Sequence, residues 1–366
     1  MTTPSTGNSV DAREVRGREQ TNRTASATRT ARAARAPSQP PSRPLRLRLS
    51  LRSARKGTLT ACLAVLLALV VSVPGRIPNS PGHLGSLVET VLPWTVLAIP
   101  ALIVPALVRR SPLAALSLVL PVTVWGTLFG STLADKSSPG GDLTIASHNV
   151  NQENPDPEGT VGQLLASKAD VLALEELTPR TASAYERALA SAYPYHYFKE
   201  TVGLWSIYPL SDVQALPIVP WTRAMRATVE TPEGSLAAYV VHLPSVRVNS
   251  AGFTTRARNE ALGRLTAELH RESAQNVVVL GDFNGSADDR AMRPLTRHFA
   301  SVQTTAGDGF GFTWPSRFPV VRIDQIFVKG AKATSAWTLP ATASDHLPVA
   351  ARLDLLPRTP LGSRHP

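Results

Sequence analysis

The chain has 366 residues, a formal net charge of +11 and one cysteine, Cys62. Its charge is concentrated at one end: residues 1–57 hold 13 basic against 3 acidic side chains, whereas residues 131–366 hold 22 against 23. An internal disulfide, a cysteine-built zinc site and a generally basic nucleic-acid binder are excluded by these counts.

Residues 1–57 are rich in Arg, Ala, Ser, Thr and Pro, with almost no large apolar side chain before Leu45. Such a segment cannot bury enough surface to offset its ordering entropy, and it is expected to be a disordered basic cytoplasmic tail. Leu and Arg alternate through Pro44–Arg52, a positive flank that sets topology, with anionic lipid as a second role.

Three uncharged windows follow, 57–75, 90–108 and 111–134, bounded by Lys56, Arg76, Glu89, Arg109, Arg110 and Asp135. Their length predicts transmembrane helices at about 58–75, 90–108 and 111–131, the last two forming a hairpin that turns at Arg109-Arg110 and is kinked by prolines. The bias of Lys and Arg predicts the tail and this turn inside, and everything beyond about residue 131 outside the cell. A flexible linker is expected at 135–141. It spans at most about 25 Å, so the domain after it must stay near the membrane.

Residues 142–356 predict an α/β domain. Strands are expected at 143–149, 171–174, 195–198, 203–207, 226–230, 236–242, 277–280, 323–328 and 349–353, and helices at 158–168, 179–191, 254–272 and 288–299. Residues 357–366 are expected to be a disordered tail. The late strands run on without a long helix between them, which argues for mixed rather than purely parallel sheets.

The informative polar residues cluster at strand ends: Ser147-His148-Asn149-Val150-Asn151, Leu174-Glu175-Glu176, Val241-His242-Leu243, Gly281-Asp282-Phe283-Asn284, Arg322-Ile323-Asp324 and Ser344-Asp345-His346. Carboxylates, carboxamides and imidazoles gathered at neighbouring strand ends make an oxygen-rich pocket suited to hard Mg²⁺ and to phosphate. Taken singly, Asn149 could cap a strand, Glu176 could be a helix N-terminal acid, and His242 could be a core histidine.

In order and spacing, this set resembles the endonuclease/exonuclease/phosphatase superfamily, the DNase I-like metal-dependent phosphoesterases, over roughly residues 142–356. The resemblance implies a four-layer α/β sandwich of two mixed sheets flanked by helices, with the site at the top of the sheets. It implies Glu176 as principal Mg²⁺ ligand, Asn149 as a second ligand or its orienter, and Asp345 as a further metal-associated acid. Asp282 and Asn284 would orient or deprotonate the attacking water, His346 would sit on a phosphate oxygen, and Asp324 would fix the tautomer of His346. His242 resembles a second histidine of nuclease and sphingomyelinase branches, a candidate general acid. His148 points to the other face of its strand and reads as structural.

Three departures stand out. Glu175 replaces the usual Gln and would add a negative charge, and Asn151 stands where several DNA-repair members carry Asp. Ile207 replaces the basic residue of a ser-arg-tyr-pro turn, which brings one phosphate contact into question. The membrane-anchored plan is similar to the VanJ-type branch. The expectation is an outward-facing phosphoesterase using Mg²⁺, or Mn²⁺ in its place. Its partners would be the lipid bilayer and a phosphorylated lipid or lipid-linked cell-wall precursor. The alternative is an extracytoplasmic nuclease or other phosphodiesterase, with Arg247, Arg256 and Arg258 as a local patch for nucleic acid.

Overall fold

The computed structural model describes residues 51–357, with side chains from residue 57. The tails expected at 1–57 and 357–366 therefore lie almost wholly outside the described residues. Helix α1 (Leu51–Ser72) nevertheless starts inside the expected basic tail. Leu, Arg and Ala are good helix formers, and the single Gly57 before the apolar stretch does not stop the helix.

A 3₁₀ turn at Pro74–Arg76 leads to α2 (Leu84–Val91), a 3₁₀ stretch Leu92–Leu97 and α3 (Ala98–Val108). Together Leu84–Val108 form one apolar helical segment of 25 residues, with an 18-residue stretch of mean hydropathy 2.2. Then α4 (Pro112–Ser117), α5 (Val119–Phe129) and a 3₁₀ turn make a second, Pro112–Leu133, of 22 residues, with an 18-residue stretch of mean hydropathy 1.8. Both are long and apolar enough to cross a membrane, and Gly57–Ser72 is a shorter apolar helix. The Leu84–Val108 segment begins earlier than expected and takes Glu89 into the helix, because that carboxylate is buried against Arg290 rather than facing water.

Ala64, Ala106 and Ala114 bring α1, α3 and α4 close together, the use small residues have between apolar helices. Gly57 lies so near Ser111 that a β carbon there would meet Oγ at 1.9 Å. Hence the Arg109-Arg110 turn stands at the N-terminal end of α1, while Val71, Leu92 and Phe129 pack together at the opposite end.

The remaining chain builds two six-stranded sheets. Its elements are β1 (Leu143–Asn149), α6 (Pro157–Ala166), β2 (Val171–Glu175), α7 (Pro179–Leu189), β3 (Tyr195–Lys199), β4 (Val202–Ser206), β5 (Leu210–Ala215), β6 (Ala224–Glu230) and β7 (Ser235–His242). A short hairpin, β8 (Val248–Asn249) and β9 (Gly252–Phe253), precedes α8 (Arg256–Arg271) and β10 (Asn276–Asp282). Then come α9 (Arg293–Thr296), β11 (Ala300–Ser301), α10 (Val302–Ala306), β12 (Asp324–Lys329), β13 (Lys332–Thr338) and β14 (Val349–Asp354). The sheet orders are β13-β14-β1-β2-β4-β3 and β11-β12-β10-β7-β6-β5. Pairs β1–β2 and β7–β10 are parallel and their neighbours antiparallel, so both sheets are mixed.

Alternation along the strands sends one side-chain set inward and the other outward. Ile145, Ala173, Leu204, Val240, Val278 and Ile326 meet between the sheets. On the outer faces, Leu172, Leu174 and Trp205 pack under α6 and α7, and Val277, Val279 and Phe327 under α8. The expected helix at 288–299 is broken into a 3₁₀ turn, Arg290–Met292, and the single turn of α9. Asp289 caps the turn through Ala291 N, and Pro294 has no N–H to continue a helix.

The link expected to be flexible is tied down. Ser138 N donates to Thr334 O at 2.8 Å, and Gly141 N to Asp354 Oδ1 at 2.7 Å. The domain is also clamped to the apolar helices. Glu89 accepts from Arg290 N and Nε at 2.8 and 2.9 Å, while the Arg290 guanidinium donates to Ile77 O and Pro74 O at 2.9 and 2.8 Å. Phe253 N donates to Gly82 O at 2.9 Å, and Gly252, at φ +99, passes so close to Gly82 that no β carbon would fit.

Candidate active site

All the strand-end clusters arrive at one end of the sandwich. Register sets Asn149 opposite Glu175, and Asp282 opposite both His242 and Asp324. β14 runs antiparallel to β1 and starts opposite Ser147, so the Ser344–Pro348 turn hangs over Asn149. Ser344 Oγ fixes it there by donating to Asn149 O at 2.7 Å. Gly281 lets β10 run close against β7: a β carbon would stand 1.9 Å from Val241 O.

Glu176, Asn151 and Asn284 follow their strands at φ of 61°, 62° and 47°. For Glu176, a left-handed backbone costs about 1–2 kcal/mol. It breaks the strand alternation, so Glu175 stays buried while Glu176 reaches the half-exposed site.

Asn149 Nδ2 donates to Glu176 Oε1 at 3.1 Å and to Asp282 Oδ2 at 3.0 Å. Its Oδ1 accepts from Asn151 N at 3.0 Å. Asn284 donates to Asp282 twice, from N at 2.8 Å and from Nδ2 at 3.0 Å. His346 Nδ1 lies 2.9 Å from Asp324 Oδ2, and Asp345, which is exposed, accepts from Asn151 Nδ2 at 3.0 Å and from Trp314 Nε1 at 3.2 Å. The structure thus brings Asn149, Glu176, His242, Asp282, Asn284, Asp324 and His346 together directly, and Asp345 through Asn151.

Electrostatics divide these groups. Burial opposes charge on His346, but Asp324 at Nδ1, with Asp282 and Asp345 near, pushes its pKa up to about 10. It is an imidazolium at neutral pH, free to donate from Nε2. Burial, aided by Asp324, raises Asp282 to about 7 against the pull of His346. Burial, then the Arg223 and His346 charges, hold His242 well below the usual imidazole range.

Arg223 Nη2 lies on His242 Nε2, and Arg223 Nε donates to His242 O at 3.0 Å. The general-acid role expected of His242 needs a proton on Nε2, the atom that faces the Arg223 guanidinium and lies 3.6 Å from both Glu176 Oε1 and Asp282 Oδ2. Arg223 brings the positive charge instead. With Gln152, Glu176, Trp221, His242 and Ser245 it lines a cavity of about 290 Å³ beside the site. Nothing in the sequence marked Arg223, a lone arginine one residue before a strand.

Three further expectations change. Ile207 N bonds Asp170 O, at the start of β2 and the opposite end of the sheet from Glu176, so the residue there has no access to a phosphate in the site. Glu175 is fully buried and accepts from Ser147 Oγ at 2.8 Å. Burial raises its pKa well above the carboxylate range, so it adds no negative charge and stands as a neutral counterpart of Gln. Arg258 is buried on Asp289 at 2.5 Å and cannot join a nucleic-acid patch with Arg247 and Arg256. It braces the catalytic loop instead, Nη1 donating to Asn284 O at 3.4 Å. His148 is buried, its Nε2 2.9 Å from Thr342 Oγ1.

The donor set fits a hard divalent cation. Among the described residues, Asp282, Asp324 and His346 offer ligand atoms within 4.8 Å of one another. Asp324 is committed to His346, however, and an imidazolium repels a cation. The better-suited oxygens are those of Glu176, which is partly exposed and shares the NH₂ group of Asn149 with Asp282. The Asn149 NH₂ faces both carboxylates, and its Oδ1 accepts from Asn151 N.

The model of the Endonuclease/Exonuclease/phosphatase family matches residues 146–346. The chain belongs to that family. Its members are phosphoester hydrolases, and the two mixed sheets flanked by helices agree with their DNase I-like fold. The structure is similar to a humanized D. rerio TDP2 with 14 mutations (18% identity, TM-score 0.50, covering 58% of this chain and 98% of that one). It is also similar to an endonuclease/exonuclease/phosphatase of Bacteroides vulgatus (18%, 0.49, 59% and 100%) and to the Bacteroides thetaiotaomicron mannosyl-6-phosphatase (15%, 0.48, 58% and 100%). At such identities the likeness is one of fold. No curated protein matches the chain in sequence.

Proposed function

We propose that this endonuclease/exonuclease/phosphatase domain is a membrane-anchored, outward-facing, Mg²⁺-dependent phosphoesterase of the VanJ-type plan. Its substrate is a phosphate ester or pyrophosphate on a membrane lipid or lipid-linked cell-wall precursor. The observation that carries the reading is the clamp: Glu89–Arg290 and Gly82–Gly252 hold the catalytic domain on one end of the apolar helices. The basic Arg109-Arg110 turn lies at the other end. Positive charge favours the cytoplasmic side, which supports a catalytic domain outside. A freely diffusing substrate gains nothing from such a mounting.

In this reading Asp282, with a pKa near 7, takes the proton of the attacking water, while Asn284 orients that water. His346 donates from Nε2 to a phosphoryl oxygen and stabilises its growing charge, with Asp324 holding the ring. Arg223 adds a second cation at the cavity wall. A divalent ion held by Glu176, with Asp345 tied to the site through Asn151, would neutralise phosphate charge and polarise the phosphoryl group.

The test uses the full chain in proteoliposomes with Mg²⁺, against polyprenyl pyrophosphate, phosphatidic acid, a p-nitrophenyl diester and plasmid DNA. Lipid phosphate should be the best substrate, with EDTA abolishing turnover and Mg²⁺ or Mn²⁺ restoring it. Preferred cleavage of DNA would favour the nuclease alternative, and full activity in chelator would remove the metal-dependent mechanism. For topology, alkaline phosphatase fused after Pro366 should be active. A silent fusion, with a green fluorescent one glowing, would reverse the orientation.

A further inference from the structure

Residues 309–322 join the apolar helices to the catalytic groups. At one end, Phe310 packs on Trp125 and Phe129 with ring centroids 6.4 and 5.9 Å apart, and Phe312 stacks on Trp94 at 5.6 Å. Trp94 Nε1 also donates to Val320 O at 2.7 Å. At the other end, Leu347 N donates to Thr313 O at 2.8 Å and Ser316 N to Asp345 O at 2.7 Å, so the strap is tied to the turn carrying Asp345 and His346. Trp314 touches Asp345 itself. Phe312, against the helices, and Trp314, against the site, are two residues apart, at most about 7 Å of chain.

Two aromatic side chains on this strap are left uncovered. Phe318 is 70% exposed at the tip and Trp314 39% exposed at the site. A large apolar side chain in water beside a catalytic pocket has no role in the fold's own packing, and a surface of this kind suits an apolar ligand. Next to it stand helices long enough to cross a bilayer, continuous with the strap through Trp94 and Phe312.

We infer that the 309–322 strap is a seat for the hydrocarbon chain of the substrate: Phe318 and Trp314 receive the chain as it leaves the bilayer, and so deliver its phosphate to His346 and Asp282. This rests on the lipid-phosphate reading and deepens it, by making chain length a property the enzyme reads. The strap supplies apolar area only, so polyprenyl and diacyl chains are both candidates and are separated by the test.

The experiment uses the full chain in mixed micelles with long- and short-chain members of two series, polyprenyl pyrophosphates and diacylglycerol phosphates. The quantity read is the ratio of kcat/KM for the long member to that for the short. In the wild type this ratio should be well above one for at least one series, which identifies the lipid. In Phe318→Ser it should fall about tenfold or more, the effect of losing one buried aromatic contact, and Phe318→Leu should restore most of it. A wild-type preference for long chains that Phe318→Ser leaves intact overturns the seat while the lipid reading stands. Equal turnover of long and short members by the wild type overturns the seat, and failure to turn over either series overturns the lipid reading itself.

Discussion

Replacing Arg290 with Met removes the guanidinium that fills the junction between the catalytic domain and the helices. Glu89, with a side chain 2% exposed, loses the Nε bond at 2.9 Å, and Ile77 O and Pro74 O lose their donors. Breaking a buried pair by removing one partner costs about 3–5 kcal/mol. Here the backbone N of residue 290 would still reach Glu89, and Arg293 Nη2 is 3.8 Å away. The lower end, about 3 kcal/mol, is therefore expected, roughly a hundredfold rise in local opening. Hydrogen exchange of the full chain in nanodiscs should show this as faster exchange over residues 74–92 and 286–293, with the β10 core unchanged. Adding Glu89→Gln should restore part of the protection, since a neutral amide needs no counter-charge. Unchanged exchange in Arg290→Met, or fully additive losses in the double variant, would refute the reasoning.

Other outcomes follow from the site. In the proposed mechanism Asp282 works deprotonated, so kcat/KM should climb with pH through about 7, and Asp282→Asn should lose roughly 10²–10⁴ in rate; an ascending limb near 4 would remove Asp282 as the base. In the same mechanism His346 works protonated, so wild-type activity should persist to about pH 10. Asp324→Asn removes the leading counter-charge and should draw the alkaline limb downward, checked by the imidazole shifts in NMR. Glu175 has its folded pKa raised by burial, so its contribution to stability is complete below the unfolded value of about 4.5 and is lost as pH rises toward the folded one. Glu175→Gln should then match the wild type near pH 4 and exceed it in thermal unfolding near pH 8. A less stable variant at pH 8 would show that the buried carboxylate is ionised.

Much of the fold was readable because its signals are local. β1 was expected at 143–149 and stands there, since an apolar run ending in polar residues needs no distant information. The gathering of six motifs followed from one regularity, polar residues at strand ends. What escaped depended on distance. β13, Lys-Ala-Thr-Ser-Ala-Trp-Thr, has too few apolar residues to announce an edge strand and forms because β14 pairs with it. β5 is of the same kind. Arg223 and Arg258 look like ordinary surface arginines until β7 and Asp289 are placed beside them. The charge of Glu175 could be judged only with its burial known, and Ile207 only with the direction of β4 known.

The clamp also bears on how this protein can be handled in pieces. A fragment beginning near residue 135 would keep both sheets and every strand-end motif. It would also uncover Phe310, Phe312 and the guanidinium of Arg290, which here are covered by Trp125, Trp94 and Glu89. Two stacked rings and an unmatched cation form an adhesive face, prone to self-association and to binding detergent or nucleic acid without specificity. Low solubility or weak DNA retention in such a fragment would report the cut surface, not the enzyme.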